Sequence, residues 1–93
     1  MFRNNSYFDN KVQSFSFAGE AGPATVGVMA PGEYEFGTST EEIMTVVSGK
    51  MIVQLPGNTD WIECQPFDSF TVAKDRKFKV KIGSDTAYLC LYR

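Results

Sequence analysis

The sequence predicts an all-β fold with little or no helix, and three observations carry that prediction. Eight Val, four Ile, seven Thr, eight Phe, four Tyr and one Trp stand against three Leu and six Ala. Branched and aromatic side chains suit a pleated, half-buried surface, whereas helices favour Ala and Leu. No window keeps apolar residues at i, i+3, i+4 and i+7 over a helix length. Short alternating runs instead recur about every 8–12 residues between turn signals, the pattern of a sandwich or barrel. Ninety-three residues give room for one domain, residues 1–93.

The elements follow in order. Tyr7–Val12 reads as a lead-in strand or arm, which either edges its own sheet or trades across a dimer. Gln13–Phe17 alternates, with Phe15 and Phe17 on one face and Ser14 and Ser16 on the other. Ala24–Ala30 sets Val26 and Val28 against Thr25, Gly27 and Met29. Glu33–Phe36 sets Tyr34 and Phe36 against two glutamates. Ile43–Val47 and Met51–Leu55 are denser in apolar residues, as in strands covered on both faces. Ser69–Ala73 carries Phe70 and Val72. In Lys77–Ile82, Phe78, Val80 and Ile82 strictly oppose three lysines. Thr86–Tyr92 closes the chain, with Tyr88, Cys90 and Tyr92 on one side. Turn residues separate these runs, among them Pro31-Gly32, Ser48-Gly49, Pro56-Gly57-Asn58 and Gly83-Ser84-Asp85.

Charge and composition exclude several functions. Nine basic and eleven acidic residues give a net charge of −2, which argues against nucleic-acid binding through a positive field. There is no histidine. That removes the commonest metal ligand, the usual general base near neutral pH, and any Ser–His or Cys–His nucleophile. Cys64 and Cys90 are too few for a zinc site or a disulfide scaffold. No apolar run approaches the roughly 18 residues of a membrane span, and Met1–Ser6 lacks the apolar core of a signal peptide. A cytoplasmic protein with reduced thiols and no membrane partner is expected.

One stretch resembles the first motif of the cupins: glycine, five residues, His-x-His, three or four residues, a glutamate, six residues and a glycine. The histidine positions are counted forward from the first glycine and the glutamate back from the last. Gly32, Glu42 and Gly49 occupy the two glycine positions and the glutamate, while Thr38 and Thr40 stand where the histidines would be. In the fainter second motif Phe78 takes the place of the third histidine and Ala73 that of a proline. A fuller resemblance covers nearly the whole chain. Gly27-Val28-Met29, Pro31-Gly32-Glu33-Tyr34-x-Phe36, Glu42-x-Met44-x-Val46, Leu55-Pro56-Gly57, Trp61 and Tyr88-Leu89-Cys90-x-Tyr92 are similar to the pyrimidine/purine nucleoside phosphorylases. These are short single-domain cupins. The departures are local: Pro66–Ser69 stands where that family has a glycine before Ser-x-Phe, and Ala73 replaces its proline.

The resemblance implies a cupin-type antiparallel β-barrel, jelly-roll-like, with nucleosides and inorganic phosphate as its partners. That activity is the reversible phosphorolysis of purine and pyrimidine nucleosides by inorganic phosphate, giving free base and ribose 1-phosphate. No cofactor and no metal are implied, and a homodimer is expected. The residue inventory permits this chemistry, because phosphate is itself the nucleophile. The protein must position it, stabilise an oxocarbenium-like sugar and ease departure of the base.

If Thr38 and Thr40 occupy the vacated ligand positions facing inward, Tyr34 and Phe36 share their face by the strand period of two. Phe78 faces inward likewise. Glu42 is then the catalytic candidate, binding ribose hydroxyls or stabilising the cationic sugar. Tyr34, Phe36 and Phe78 either wall the base and sugar or simply fill the interior. Arg76, in the turn before the Lys77–Ile82 strand, is the first candidate for phosphate because a guanidinium matches phosphate bidentately. Arg3 and Arg93 are weaker ones, and Lys77, Lys79 and Lys81 read as a solvated face. Trp61 reads as a core or interface anchor, and Cys90 as a buried, inert thiol. The alternative function is a non-enzymatic cupin that binds a sugar or nucleoside. A degenerate metal cupin comes third, disfavoured by the missing imidazoles.

Overall fold

A computed structural model describes residues 1–93. Ten strands and no helix form: β1 (Arg3–Tyr7), β2 (Val12–Gly19), β3 (Gly22–Met29), β4 (Gly32–Gly37) and β5 (Glu42–Ser48), followed by β6 (Met51–Gln54), β7 (Ile62–Cys64), β8 (Ser69–Val72), β9 (Lys77–Ile82) and β10 (Thr86–Tyr92). No helix is long and apolar enough to cross a membrane.

The strands divide into a six-stranded sheet, β1-β2-β3-β10-β5-β8, and a four-stranded sheet, β4-β9-β6-β7. Every ladder is antiparallel. No ladder joins the two sheets, so the closed barrel expected from the sequence is not formed; the strands face one another as a two-layer jelly-roll-like sandwich. Both sheets end in short strands, β8 with four residues and β7 with three. Closure of the hydrogen-bond network stops there.

The eight strands expected from alternation all appear, with end shifts of a few residues. Two elements differ. Tyr7–Val12 is not a strand: β1 ends at Tyr7, and Phe8, Asp9 and Asn10 turn the chain at φ of 53°, 55° and 67°. Left-handed backbone at three successive non-glycine residues leaves no cue in hydrophobic alternation. β1 itself pairs with β2 of the same chain, Arg3 opposite Ser16 and Tyr7 opposite Val12. β7 is too short and too exposed for its pattern to stand out.

The core lies between the layers. Val46, Met51, Val53 and Val80 are fully enclosed, beside Val12, Met29, Val72 and Cys90. Phe78, Val80 and Ile82 all point inward, and the lysines between them point out, as the alternation requires. Lys81 is only half-exposed because its ammonium lies 4.1 Å from the centre of the Trp61 ring. On β2 and β3, beyond the inward Val12 and Met29, polar residues face in. Ser14 and Thr25 are buried, whereas Phe15, Val26 and Val28 are 49%, 45% and 53% exposed on the outer face. That inversion of the usual rule marks a polar surface inside the molecule.

Candidate active site

Between the sheets, where β1, β10 and β5 meet the Phe36 end of β4, lies a hollow of 780 Å³. It has two unlike walls. One is the inner face of the six-stranded sheet, and it is polar because the strand registers align polar residues into rows. Asn5 stands opposite Ser14, Ser14 opposite Gly27, and Gly27 opposite Tyr88. In the next row Arg3 faces Ser16, Ser16 faces Thr25, and Thr25 faces Cys90.

Hydrogen bonds hold that wall. The Asn5 amide donates to the Ser16 and Ser14 hydroxyls at 2.9 and 3.3 Å. The Thr25 and Tyr92 hydroxyls lie 2.9 Å apart. Gly27 makes the wall possible. A Cβ there would stand 2.6 Å from the Gln13 carbonyl oxygen and 2.8 Å from the Tyr88 hydroxyl. Its absence lets the Tyr88 ring cross the sheet toward Ser14. Burial pushes the Tyr88 hydroxyl up to about 12, so it remains a neutral donor and acceptor at physiological pH.

Glu42 begins β5, opposite Tyr92 on one side and Val72 on the other. Its strand parity is that of the buried Met44 and Val46, which turns the carboxyl inward to line the hollow. Burial raises its pKa above the usual carboxylate value, and the hydrogen bond from Cys90 opposes that rise only in part. The Cys90 Sγ–H donates to Oε1 at 3.5 Å. Burial, reinforced by the Glu42 charge, lifts the thiol to about 12. Cys90 is therefore a standing donor to the carboxylate and not a nucleophile.

The opposite wall is aromatic. Phe36 and Phe78 line the hollow with ring centres 5.5 Å apart. Phe70 packs edge-on behind Phe78 at 5.9 Å. Phe8, thrown over from the β1–β2 turn, meets Phe36 at 5.6 Å and Tyr34 at 5.1 Å. An aromatic face across from a hydroxyl- and carboxylate-bearing face suits a ligand with one flat apolar surface and one polyhydroxylated part.

Of the residues singled out from the sequence, the structure brings Glu42, Phe36 and Phe78 together on the hollow. Tyr34 stands behind Phe36, buried, its hydroxyl donating to the Ala30 carbonyl at 2.5 Å. Thr38, Thr40 and Arg76 do not line it. The reason is that β4 ends at Gly37, so strand parity does not carry on to the two threonines.

Thr38 is a clip instead. Its hydroxyl donates to Ala73 O at 2.7 Å and accepts from the Arg76 N–H at 3.0 Å. Main-chain bonds from Thr38 to Arg76 and from Asp75 to Thr38 complete the tie at 2.9 and 3.0 Å. Thr40 bonds the adjacent Glu41 carbonyl at 3.3 Å. Hydrophobic alternation alone does not mark Arg3, Asn5, Ser14, Ser16 and Thr25 as one polar wall. The signal that points to it is the Ser-x-Ser of β2 set against the Thr-x-Gly of β3. No three His, Cys, Asp or Glu side chains gather where they could hold a metal ion.

Comparison with known proteins adds to this geometry. A family model described as pyrimidine/purine nucleoside phosphorylase matches residues 2–92. A curated protein of that name from Pseudomonas putida (strain GB-1) is 60% identical over 93 residues, covering 100% of this chain and 99% of that one. Among solved structures, a protein of unknown function from Vibrio parahaemolyticus superposes with a TM-score of 0.93 at 41% identity, covering 97% and 96% of the two chains. A cupin superfamily protein from Desulfitobacterium hafniense superposes at 0.73 with 13% identity, over 95% of this chain and 82% of that one. That last likeness shows a cupin-like fold and nothing further.

Proposed function

Since the chain belongs to the pyrimidine/purine nucleoside phosphorylase family, we propose that it cleaves nucleosides reversibly with inorganic phosphate, without a metal. The products are the free base and ribose 1-phosphate. A phosphate oxygen bonds to the anomeric carbon while the carbon–nitrogen bond breaks, its electron pair leaving with the base. The proton of hydrogen phosphate ends on that nitrogen, which balances the step. Positive charge on the sugar peaks before the new bond is complete.

The observation that carries this reading is Glu42, a half-buried carboxylate facing an aromatic pair across a hollow large enough for a nucleoside. Half-buried in the wall of the hollow, its charge acts on the developing cation with less screening than in bulk water. Phe36, half-buried on the hollow, takes the base, and Phe78, only 2% exposed, backs it from the core. Stacking on a ring accepts any nucleobase, because every base has a π-face, and this suits both purines and pyrimidines. Tyr34 supports Phe36 from behind. We extend the proposal to a homodimer that covers the exposed Phe15, Val26 and Val28, working in the cytoplasm where the buried Cys64 and Cys90 stay reduced.

The test is direct. Purified protein is incubated with uridine or inosine, with and without phosphate, and released base is quantified. Base release that requires phosphate and falls at least a hundredfold in Glu42→Gln is expected. Nucleoside binding with no release would favour a non-enzymatic binding protein. Sedimentation at 10.4 kDa, rather than twice that mass, would remove the dimer.

A further inference from the structure

Three charged residues line the hollow, Arg3, Glu35 and Glu42, so Arg3 is its only cation. Arg3 makes no ion pair; the one salt bridge in the molecule joins Lys50 to Glu63 at 3.5 Å. Its side chain also takes part in none of the molecule's hydrogen bonds. An unpaired guanidinium lining a pocket is a ready anion ligand, with donors spaced to meet two oxygens at once.

The neighbours of Arg3 complete an anion-binding corner. Ser16 stands directly across the ladder from Arg3. The Ser16 oxygen accepts from Asn5 at 2.9 Å. Having received that bond, its own hydrogen has no acceptor in the protein and is free for an oxygen in the hollow. Asn5 fixes the two serines of β2 in place by donating to both. One exposed, unpaired cation and one hydroxyl with a free hydrogen thus sit on the edge of the six-stranded sheet.

The carboxylate stands at the far side. β1 and β5 are separated by β2, β3 and β10, so four strand spacings put roughly 19 Å between their backbones along the sheet. Side chains reaching inward from both strands shorten that gap, and the two charges are not paired with each other. A hollow with its cation and its half-buried carboxylate on opposite flanks matches a substrate pair in which an anion attacks a sugar that turns positive.

We propose that Arg3 and Ser16 form the phosphate subsite, holding the attacking anion on the β1 flank of the sugar while Glu42 faces it from the β5 flank. This rests on the phosphorolysis reading above. It replaces Arg76, whose turn does not reach the hollow, and gives the edge strand β1 a chemical task. The site takes a tetrahedral oxyanion: phosphate as substrate, with arsenate able to replace it and sulfate competing.

Steady-state kinetics of Arg3→Ala, Arg3→Lys and Ser16→Ala, with phosphate varied at saturating inosine and inosine varied at saturating phosphate, test the proposal. Arg3→Ala should raise the phosphate KM at least tenfold and leave the inosine KM within twofold. Arg3→Lys should fall between, because an ammonium lacks the two-pronged donor. Ser16→Ala should raise the phosphate KM by a few-fold. An unchanged phosphate KM in Arg3→Ala, or an equal rise in both KM values, overturns the subsite. Calorimetric titration of inorganic phosphate into wild type and Arg3→Ala separates this from the parent reading. Binding lost in the variant supports the subsite even if no turnover is seen, and equal binding in both refutes it even if turnover is normal.

Discussion

The two ends of the sandwich solve the same burial problem in opposite ways. At one end Met51, Val53 and Val80 are fully enclosed and leave no room. The turns there are tight: Gly49, at φ 87°, passes so close to Thr86 that a Cβ would stand 2.5 Å from its hydroxyl. That hydroxyl donates to Ser84 O at 2.9 Å and receives the Lys50 N–H at 3.3 Å. At the other end the sheets spread around 780 Å³, and serines, threonine, tyrosines and a carboxylate replace the aliphatic residues. The difference teaches where stability and chemistry reside. Close packing at the filled end holds the fold, so the hollow end can keep polar groups that add little to it.

Substitutions at the two ends should therefore separate in what they damage. The largest effect on stability is expected at the filled end. Met51→Ala removes a wholly enclosed side chain and should cost about 2–5 kcal/mol in urea denaturation, with turnover per folded molecule unchanged. At the hollow end Phe36→Ala should act on the substrate instead. Loss of a stacking ring should weaken nucleoside binding by about 1–3 kcal/mol, read as the nucleoside KM, and lower stability by less than Met51→Ala because Phe36 is only half-buried. A Phe36→Ala protein destabilised as much as Met51→Ala yet binding nucleoside normally would erase the contrast between the ends.

Thr38→Val tests a residue that lies near the hollow and outside it. Removing the hydroxyl strips a partner from Ala73 O and from the Arg76 N–H. The cost should be about 1 kcal/mol, with kcat/KM untouched. A tenfold loss of kcat/KM at unchanged stability would restore Thr38 to the site.

The smallest effect is a pH dependence. The folded pKa of Glu42 lies above its ordinary value near 4.5, so the native state binds this proton more tightly than the unfolded chain. The stabilisation this gives is fully present below about pH 4.5 and disappears as pH rises through the folded pKa. Glu42→Gln lacks the titration. It should gain on wild type in denaturation midpoint as pH is raised from 4 to 8, and a constant difference across that range would show that the carboxylate is not strained by burial.

Much of the fold was legible in the residues, and the reason is the strand period of two. Lys77–Ile82 alternates without a break, and its apolar side faces the core as read. Glu42, Phe36 and Phe78 reach the hollow because each lies on, or at the start of, a strand whose parity holds. Thr38 and Thr40 do not, since parity was carried past the end of β4 into a loop. The polar wall was hidden for a different reason. Hydrophobic side in and polar side out is the ordinary rule, and β2 and β3 reverse it, presenting Ser14, Ser16 and Thr25 to the interior. The role of Gly27 depends on a tyrosine 61 positions later in the chain, brought opposite it only by the β3–β10 register. The missing ladder between the sheets likewise follows from pairing across strands, which local composition does not encode.

Both chain ends border the hollow: β1 starts at Arg3, β10 finishes at Tyr92, and each of those residues lines it. A purification handle or fluorescent fusion appended at either extremity would hang beside the entrance and compete with incoming solute. The exposed Gly83-Ser84-Asp85 bend, on the compactly filled side, is the better point of attachment for a reporter or an immobilising tether.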